Sequence, residues 1–553
     1  MSDRRVNRDL EIFEESEPSD LSCDDAVGRT RNGVFMCKAM DAIGFVSNAK
    51  LGSKSKTVWT QGCPDEQEPF DWISDIWGWT SPYTDKRYAI AGLYDGTSFV
   101  DVSDPTSPIV LGFMDHSGSL GEGNCRDAFW RDMKIYGDVV YIVSEIDDSG
   151  VQIYDLTQLD TLVRPDPGLE RGNVSRIEPD NFINTIGRSH NVVEFTERGE
   201  ILIVGPYPRE DNNTNACDVV VGETVVVLDV ASNPINPTIS CIALGDVLNE
   251  DDREPYALTN SYPGYVHDGH CFVYSGPDSR YKLNDICVFL AETEIGIYNM
   301  DSGSMISTFS YENATYVHQG WVTEDFKTLY ANDEQDEECQ SGFLEQCEGL
   351  DQPGHPNTYA FDITDLEVPK FINVFKNTNA HPSIDHNLYA IGKRIYSANY
   401  EAGAWVYAIQ ESRELKDLAF FDISNECDDI VNCADPFGGT WTHFPFSSTL
   451  SMASNGYFGL HLFQIRDIEV LLREIIDLID EHPIGSSLHS EKQLCHARTA
   501  VSNSAMSHTE GAAGVLYGVA KAIDELGCLP GIYDIWSSDI CDNLYKAQDF
   551  LQL

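Results

Sequence analysis

The amino-acid sequence predicts an all-β fold, a β-propeller of seven blades. Short runs of β-forming residues alternate with Gly, Asp, Asn and Pro turns along most of the chain, which is typical of strands joined by tight turns. One phrase recurs, in which a strand and an acidic or glycine turn lead to a strand ending in Asp-Val or Asp-Ile. It is clearest near Tyr88, Val225 and Thr358. Internal repetition of this kind indicates one ring of similar sheets.

A second marker, an aromatic or His residue followed by a polar one, opens the repeats. Six of these markers are Trp130-Arg-Asp, His190-Asn, His267-Asp, His318-Gln, His386-Asn and Trp441-Thr-His. They lie roughly 50 to 80 residues apart, near or above the roughly 40–50 residues of a four-stranded blade with loop insertions. A further copy near Trp77 brings the prediction to seven blades, and the insertions leave six or eight as alternatives.

The pattern divides the chain into three parts. Residues 1–40 are charged, rich in Ser and Asp and without sustained periodicity, so we expect a disordered leader. Residues 41–465 are predicted to form the propeller, with residues 45–51 supplying the outer strand that the last blade lacks and so closing the ring. Residues 466–553 are predicted to form a small helical tail. Its helical runs are 467–480, 511–526 and 539–551.

Composition excludes several classes of function. Hydrophobic residues make up 42% of the chain and charged residues 23%, as in globular proteins. The 36 Lys and Arg residues against 90 Asp and Glu residues give a net charge of −54, which excludes nucleic-acid and anionic-membrane binding because both need a basic face. No apolar run reaches the roughly 20 residues of a transmembrane helix. The charge either keeps the protein soluble or suits a salty or calcium-rich medium that screens self-repulsion.

The 15 cysteines indicate an oxidising compartment, because none forms a CxxC zinc knuckle and several are spaced to form disulfides. The expected pairs are Cys271 with Cys287 on neighbouring strands, and Cys339 with Cys347 and Cys427 with Cys433 in loops. Glycosylation sequons begin at Asn173, Asn212 and Asn313. We therefore expect an extracellular or cell-surface glycoprotein, although the N-terminus lacks the apolar segment of a signal peptide.

A set of sequence phrases spread over residues 70–465 carries a family resemblance. The phrases include Trp77-Gly-Trp-Thr, Tyr94-Asp-Gly-Thr-Ser-Phe-Val-Asp-Val-Ser-Asp-Pro, Trp130-Arg-Asp, Ser189-His-Asn, His267-Asp-Gly-His-Cys, His318-Gln-Gly-Trp, Asn332-Asp-Glu and Asp385-His-Asn-Leu-Tyr. In this order they resemble the choice-of-anchor B family, whose members carry LVIVD-type propeller repeats and are mostly exported. The resemblance implies the fold and an exported location, but no particular chemistry.

Blade geometry predicts a polar site at one mouth of the central channel. In an up-and-down blade, the start of the first strand and the turn between the second and third strands lie on the same face of the ring. The first-strand residues on that face are Arg131, Asp132, His190, Asn191, His267, Asp268, His318, Gln319, Asp385 and His386. The acidic turns on it are 145–148, 292–294, 333–338 and Glu401. Imidazoles and carboxylates that converge from separate strands suit a divalent metal or a polar ligand.

Within this mouth we assign roles as hypotheses. The predicted ligand-binding residues are Arg131, Asp132, His190, His267, His318 and His386, with Arg131 as the clamp for a substrate anion. The predicted ligands of a divalent metal, calcium or a transition metal, are His190, His267, His318, His386, Asp333 and Glu334. The candidates for catalysis are His318, Asp268 and Asp385.

Each of these residues also has a structural interpretation. Polar residues at inner strand ends can simply hydrogen-bond neighbouring blades, where an unpaired buried group would cost about 1–3 kcal/mol. The acidic run 332–338 lacks the spacing of an EF-hand, so it is either a calcium loop of another kind or an exposed turn. Four tryptophans either stack on a sugar or fill the blade core. They are Trp77, Trp79, Trp130 and Trp321.

The function predicted from the sequence is a non-enzymatic, extracytoplasmic binding or scaffold protein that presents the channel mouth to a protein partner or a carbohydrate. The alternative is a metal-dependent hydrolase or lyase that acts on an ester or a uronate at the same site. No G-x-S-x-G, P-loop or H-E-x-x-H motif occurs in the chain, so the sequence gives no support to the common hydrolase, NTPase and zincin classes.

Overall fold

The described part of the chain is a ring of seven antiparallel β-sheets, seen in a computed structural model. The structure describes residues 2–52, 72–118, 130–162, 174–209, 219, 224–244, 265–312, 314–337, 354–424 and 438–466. Of the expected features, the asparagines of the three sequons, the two loop cysteine pairs and the helical runs of the tail lie outside these residues. Among the described residues, no helix is long and apolar enough to cross a membrane.

The N-terminal segment consists of α1 (Ser2–Glu15), β1 (Cys23–Asp24), β2 (Arg29–Thr30), β3 (Cys37–Lys38) and β4 (Met40–Ser47). Blade one contains β5 (Ile73–Thr80), β6 (Arg87–Leu93), β7 (Gly96–Asp101) and β8 (Ile109–Asp115). Blade two contains β9 (Arg131–Tyr136), β10 (Val139–Ser144), β11 (Val151–Asp155) and β12 (Asn181–Ile183), with a 3-10 helix at Leu156–Thr161.

The middle blades repeat this arrangement. Blade three contains β13 (Asn191–Phe195), β14 (Glu200–Val204), β15 (Thr224–Asp229) and β16 (Thr238–Ala243). Blade four contains β17 (Asp268–Val273), β18 (Asp285–Leu290), β19 (Ile295–Asn299) and β20 (Ser304–Phe309). Blade five contains β21 (Val317–Val322), β22 (Thr328–Asp333), β23 (Asn357–Asp362) and β24 (Lys370–Lys376).

The last two blades each include a strand from the N-terminal segment. Blade six contains β25 (Asn387–Ile391), β26 (Arg394–Ala398), β27 (Ala404–Ile409) and β28 (Leu415–Phe421), with β3 as a fifth strand. Blade seven contains β29 (Thr440–Pro445), β30 (Leu450–Asn455) and β31 (Gly459–Ile465), with β4 as its outer strand. The N-terminal strand β4 thus supplies the outer strand of blade seven and joins the start of the chain to the last blade, which closes the ring.

Ring closure is visible in the innermost strands. The first strand of each blade contacts the first strand of the next, and β29 of blade seven contacts β5 of blade one. Apolar residues fill the spaces between neighbouring sheets, as where Ile90 of blade one packs with Val140 of blade two. The predicted seven-bladed, all-β fold is therefore confirmed, and the channel runs between the seven first strands.

The prediction of a disordered leader over residues 1–40 is wrong for the part that the structure describes. Phe13 of α1 is 4% exposed and stacks on Phe35 with ring centroids 4.5 Å apart. A disulfide joins Cys23 to Cys37, which pins β1 against β3. The helix was missed because its 14 residues are mostly charged or polar and offer few apolar positions from which to recognise a helical period.

The predicted disulfide between Cys271 and Cys287 is present. The two residues lie directly opposite each other on β17 and β18, with Cα atoms 4.1 Å apart. This distance is below the roughly 7 Å limit for a disulfide that needs no backbone movement.

Candidate functional site

One aromatic side chain from each blade lies at the start of its first strand. We call these seven residues the mouth ring: Trp72, Trp130, His190, His267, His318, His386 and Trp441. In blades one, five and seven a register shift falls in the first strand at or near this position. Such bulges turn a side chain toward a new direction. The ring exists because each blade presents the same strand start to the axis.

The imidazoles of the mouth ring are packed against one another in sequence order. Ring centroids are 4.1 Å apart between His190 and His267, 4.2 Å between His267 and His318, and 4.4 Å between His318 and His386. Trp441 continues the row, 4.5 Å from His386. The sequence predicts that Arg131 and these four histidines, from five blades, share one axial space, and the structure brings the four imidazoles side by side.

Backbone carbonyls fix the tautomer of three of these imidazoles. Nδ1 of His267 lies 3.0 Å from the carbonyl oxygen of His318, and Nδ1 of His318 lies 3.0 Å from that of His386. Nδ1 of His386 lies 2.7 Å from the carbonyl oxygen of Trp441. A carbonyl only accepts, so each Nδ1 must donate its hydrogen. In the neutral imidazole, Nε2 then carries a lone pair.

Burial keeps these three imidazoles neutral. Removal from water lowers the pKa of His386 to about 3, and it lowers the pKa of His267 and of His318 well below the usual value, with the neighbouring imidazoles acting in the same direction. At neutral pH each of the three therefore offers Nε2 as an acceptor. Locked Nδ1 donors with free Nε2 lone pairs are the arrangement found in histidines that bind metals.

Glu334 faces two of these lone pairs. Its carboxylate oxygens lie 3.7 Å from Nε2 of His318 and 3.6 Å from Nε2 of His386, and it accepts a hydrogen bond from the Tyr400 hydroxyl. Ligand atoms of the three residues all lie within 4.8 Å of one another. Two ligands bonded at about 2.0–2.2 Å to one tetrahedral metal are about 3.4 Å apart, so the separations are close to those of a metal site.

His190 differs from the other three imidazoles. Its Nδ1 lies 2.5 Å from a carboxylate oxygen of Glu145 rather than a carbonyl. Burial alone would lower the pKa of His190, but the Glu145 carboxylate outweighs burial and raises it. His190 therefore holds a proton more readily than its neighbours, which suits an acid or a base better than a metal ligand.

A polar layer lies further along the first strands, next to the mouth ring. Asp132 binds Lys134 at 2.8 Å and accepts from the backbone N–H of Val192 at 2.7 Å. Burial alone would lower the pKa of Lys134, but Asp132 and Asp75 raise it, so its charge is retained. Burial raises the pKa of Asp268 to about 7 although Lys134 opposes this. Asp132 and Asp268 thus belong to this layer. Asp132 links neighbouring first strands through its contacts with Lys134 and Val192, and the catalytic role of Asp268 stays a prediction.

A third layer, made of aromatic side chains, lies next to the polar layer. The tryptophans of this layer pack on other side chains: Trp321 stacks on His270 at 4.0 Å and Trp77 lies 5.5 Å from Tyr389. Trp79 lies in the blade core against Tyr88. Of the four predicted tryptophans, Trp130 alone is in the mouth ring. Lys134, Glu194, Asp268, Gln319, Trp321 and Tyr389 line a small cavity between the second and third layers.

Two predicted site residues, Arg131 and Asp333, form hydrogen bonds with neighbouring chain segments. Arg131 is 3% exposed and donates from Nε to the carbonyl of Leu93 in blade one at 3.1 Å, while Trp130 takes the ring position of blade two. Both carboxylate oxygens of Asp333 accept hydrogen bonds from residues that precede β21. The donors are the Tyr311 hydroxyl, the Thr315 hydroxyl and N–H, and the Tyr316 N–H. The Asp333 contacts correct the prediction of a metal ligand. Nη2 of Arg131 is buried and has no hydrogen-bond partner among the described residues, so the anion clamp stays a prediction.

Asp385 also leaves the predicted group. It joins Asp336 and Glu337 in a separate buried cluster between blades five and six. The repeat pattern placed these three residues on the mouth face without grouping them, and it missed Trp72 and Tyr400 at the mouth. Trp72 carried a signal, since it stands immediately before a strand as Trp130 does.

Comparisons with known proteins give structural neighbours only. No protein-family model matches the chain, and no curated protein matches it. The β-propeller domain of Cps50 (Swd1) from Myceliophteria thermophila is 9% identical, with a TM-score of 0.38, and covers 68% of this chain and 93% of that chain. A protein from Lactobacillus plantarum is 11% identical, with a TM-score of 0.38, and covers 69% of this chain and 89% of that chain. The computationally designed protein Ika8 is 8% identical, with a TM-score of 0.37, and covers 71% of this chain and 83% of that chain.

Proposed function

We propose that this protein is an extracytoplasmic binding propeller that holds a divalent transition-metal ion at the channel mouth. The ligands are Nε2 of His318, Nε2 of His386 and the Glu334 carboxylate. The observation that carries the proposal is the opposition of acceptors: two neutral Nε2 lone pairs face carboxylate oxygens at 3.6–3.7 Å, a distance too long for a hydrogen bond. A cation between them turns this repulsion into attraction.

The donor set selects the kind of metal. Two imidazoles and one carboxylate suit zinc or a similar transition metal better than calcium, which prefers oxygen ligands. Three protein ligands leave at least one coordination position open. We assign that position to an oxygen of the bound partner, a carbohydrate hydroxyl or carboxylate, or an acidic side chain of a protein. His267, 4.2 Å from His318, is close enough to contact such a ligand.

An exported location accompanies this proposal. The disulfides between Cys23 and Cys37 and between Cys271 and Cys287 support it, because disulfides persist in oxidising compartments. The resemblance to the choice-of-anchor B family supports the same location. The family assignment itself remains a prediction from the sequence.

Zinc binding by the full chain tests the proposal. Purified protein, stripped with a chelator and dialysed against ZnSO4, should retain one zinc ion at the mouth in addition to weak surface binding. Glu334→Gln keeps the side-chain shape but removes the charge, and should weaken this site about 100-fold. Glu414→Gln, an equal charge change at an exposed position, is the matched control and should bind zinc as the wild type does. Wild-type affinity in Glu334→Gln would overturn the assignment.

The second candidate is a metal-dependent hydrolase or lyase. It is favoured by one observation, the His190–Glu145 pair beside His267, since a carboxylate-held imidazole can exchange a proton with a substrate. Zinc-loaded protein would be assayed with simple esters and with uronate-containing oligosaccharides. Turnover that is lost in His190→Gln while zinc binding is retained would establish the enzyme. No turnover by the wild type would leave the binding function alone.

A further inference from the structure

Three carboxylates are buried together between blades five and six, apart from the mouth ring. Asp336 and Glu337 lie in the turn after β22, and Asp385 lies two residues before β25. They are 3%, 0% and 1% exposed, and ligand atoms of all three lie within 4.8 Å of one another. A group of this kind is unstable with three negative charges, because burial and mutual repulsion both oppose ionisation.

Within this cluster, Asp385 lacks the hydrogen bonds that would account for its burial among the described residues. Neither carboxylate oxygen of Asp385 accepts a hydrogen bond from any other described residue, although the residue is almost fully buried. Native proteins leave few buried polar atoms unsatisfied, so such an atom requires a protein, water or ion partner. Two lone acceptors on one buried side chain therefore point to a ligand.

Asn357 provides an independent observation beside the carboxylates. Its backbone N–H donates to Glu337 at 2.8 Å, and its side-chain Nδ2 donates to Asp336 at 2.9 Å. These bonds hold the amide against the cluster, yet its Oδ1 is buried and has no hydrogen-bond partner in the described part of the chain. The residue is 1% exposed. A neutral amide oxygen left in this way is a coordinating atom for a hard cation.

We propose that Asp336, Glu337, Asp385 and Asn357 bind a calcium ion. All four residues offer oxygen, which favours a hard cation over zinc. Calcium accepts six to eight oxygens at irregular geometry, whereas magnesium demands a near-ideal octahedron and keeps its waters. Four buried residues on two blades, each offering oxygen, suit calcium, which is the larger ion and tolerates irregular geometry.

The calcium site would support the mouth without forming part of it. Glu334 lies two residues before Asp336, and His386 follows Asp385 directly. An ion that ties the β22 turn to the entry of β25 therefore fixes the two chain segments that carry Glu334 and His386. The calcium proposal uses only the atoms of these four residues, so it does not depend on whether the mouth binds zinc.

Calcium titration of the chelator-treated full chain in 150 mM NaCl tests the proposal. We expect CaCl2 to raise the melting temperature of the wild type at concentrations where MgCl2 has little effect. Asp385→Asn should fold without calcium at least as stably as the wild type, because one repelling charge is gone, and should bind calcium about 100-fold more weakly. Glu337→Gln, whose carbonyl can still accept from Asn357, is a second variant should the first not fold.

Two controls separate this site from its surroundings. Glu414→Gln carries the same loss of charge on the surface and should keep the calcium response. Glu334→Gln should lose zinc but keep calcium, and Asp385→Asn should lose calcium but still bind zinc. No calcium-dependent stabilisation of the wild type would overturn the proposal. An unchanged calcium midpoint in both cluster variants would also overturn it, since the response would then come from surface carboxylates.

Discussion

His461 on β31 is a buried imidazole with no visible use. It is 0% exposed, and neither ring nitrogen has a hydrogen-bond partner among the residues that the structure describes. Its ring centroid lies 4.5 Å from that of Phe13 and 4.7 Å from that of Phe45. Burial lowers its pKa to about 3. Burying these two nitrogens without hydrogen bonds lowers the free energy of unfolding relative to an apolar ring at the same position.

We predict that His461→Phe stabilises the protein by about 1–3 kcal/mol at pH 7, measured by urea unfolding, because no buried nitrogen then lacks a partner. His443→Phe is the matched control in the same blade. Both nitrogens of His443 are paired, with the Trp405 carbonyl at 3.1 Å and the Ser451 hydroxyl at 2.9 Å. The control should therefore be destabilised. Equal destabilisation by both changes would contradict the prediction.

The same substitution has a predicted pH dependence. The unfolded His461 takes up a proton near pH 6.5, whereas the folded one does so only near pH 3, so in this interval the unfolded state binds more protons. The contribution of His461 to stability is thus complete above pH 6.5 and falls as the pH is lowered. The advantage of His461→Phe over the wild type should grow below pH 6.5 by about 1.4 kcal/mol per pH unit. An advantage that is independent of pH would contradict this mechanism.

At the scale of elements, the N-terminal segment acts as a clasp across the last two blades. β3 pairs with β28 of blade six, and β4 pairs with β31 of blade seven. α1 covers this junction with Phe13, which contacts Phe35, Phe421 and Phe458. Strand pairing and the apolar packing of Phe13 therefore both stabilise the closure of the ring.

We predict that Phe13→Ala lowers the free energy of unfolding by about 3–5 kcal/mol, because it empties a buried aromatic position. Val27→Ala is the control, since Val27 lies in the same N-terminal segment but is 69% exposed. Urea denaturation followed by tryptophan fluorescence measures both variants. A Phe13→Ala variant as stable as Val27→Ala would show that α1 does not pack on the ring in solution.

The sequence predicted the elements unevenly. A closing strand was expected at residues 45–51 and is found at Met40–Ser47, because apolar alternation locates a strand but not its register with a partner far along the chain. The start of blade one was placed near Trp77, five residues past Trp72. The register shift in β5 between Ile73 and Ile76 breaks the spacing seen in the other blades.

At the scale of the whole molecule, ring closure makes the site. Four histidines separated by long stretches of chain meet because each begins a first strand, and this in-phase placement could be predicted from the repeat. The sequence could not predict that Glu334, and not Asp333, faces the imidazoles. A difference of one residue decides whether a carboxylate caps the preceding turn or faces the imidazoles, and that depends on the packing of the turn after β22.

The net charge of −54 predicts a salt effect on the whole fold. Self-repulsion opposes the compact state, and the screening length falls from about 30 Å at 0.01 M to about 3 Å at 1 M salt. With a chelator present, the melting temperature should therefore rise as NaCl is increased over this range. A flat response would indicate that the charge serves solubility alone and that the surface charges are too far apart to strain the fold.

Anomalous X-ray scattering at the zinc edge, from crystals soaked in ZnSO4, would locate the metal at the channel mouth. We predict a peak about 2.0–2.2 Å from Nε2 of His318, from Nε2 of His386 and from a carboxylate oxygen of Glu334. Crystals of Glu334→Gln, soaked at the same zinc concentration, should show a much weaker peak, in line with the lower affinity expected of this variant. Zinc found only on surface carboxylates, with no density between the two imidazoles and Glu334, would contradict the metal site.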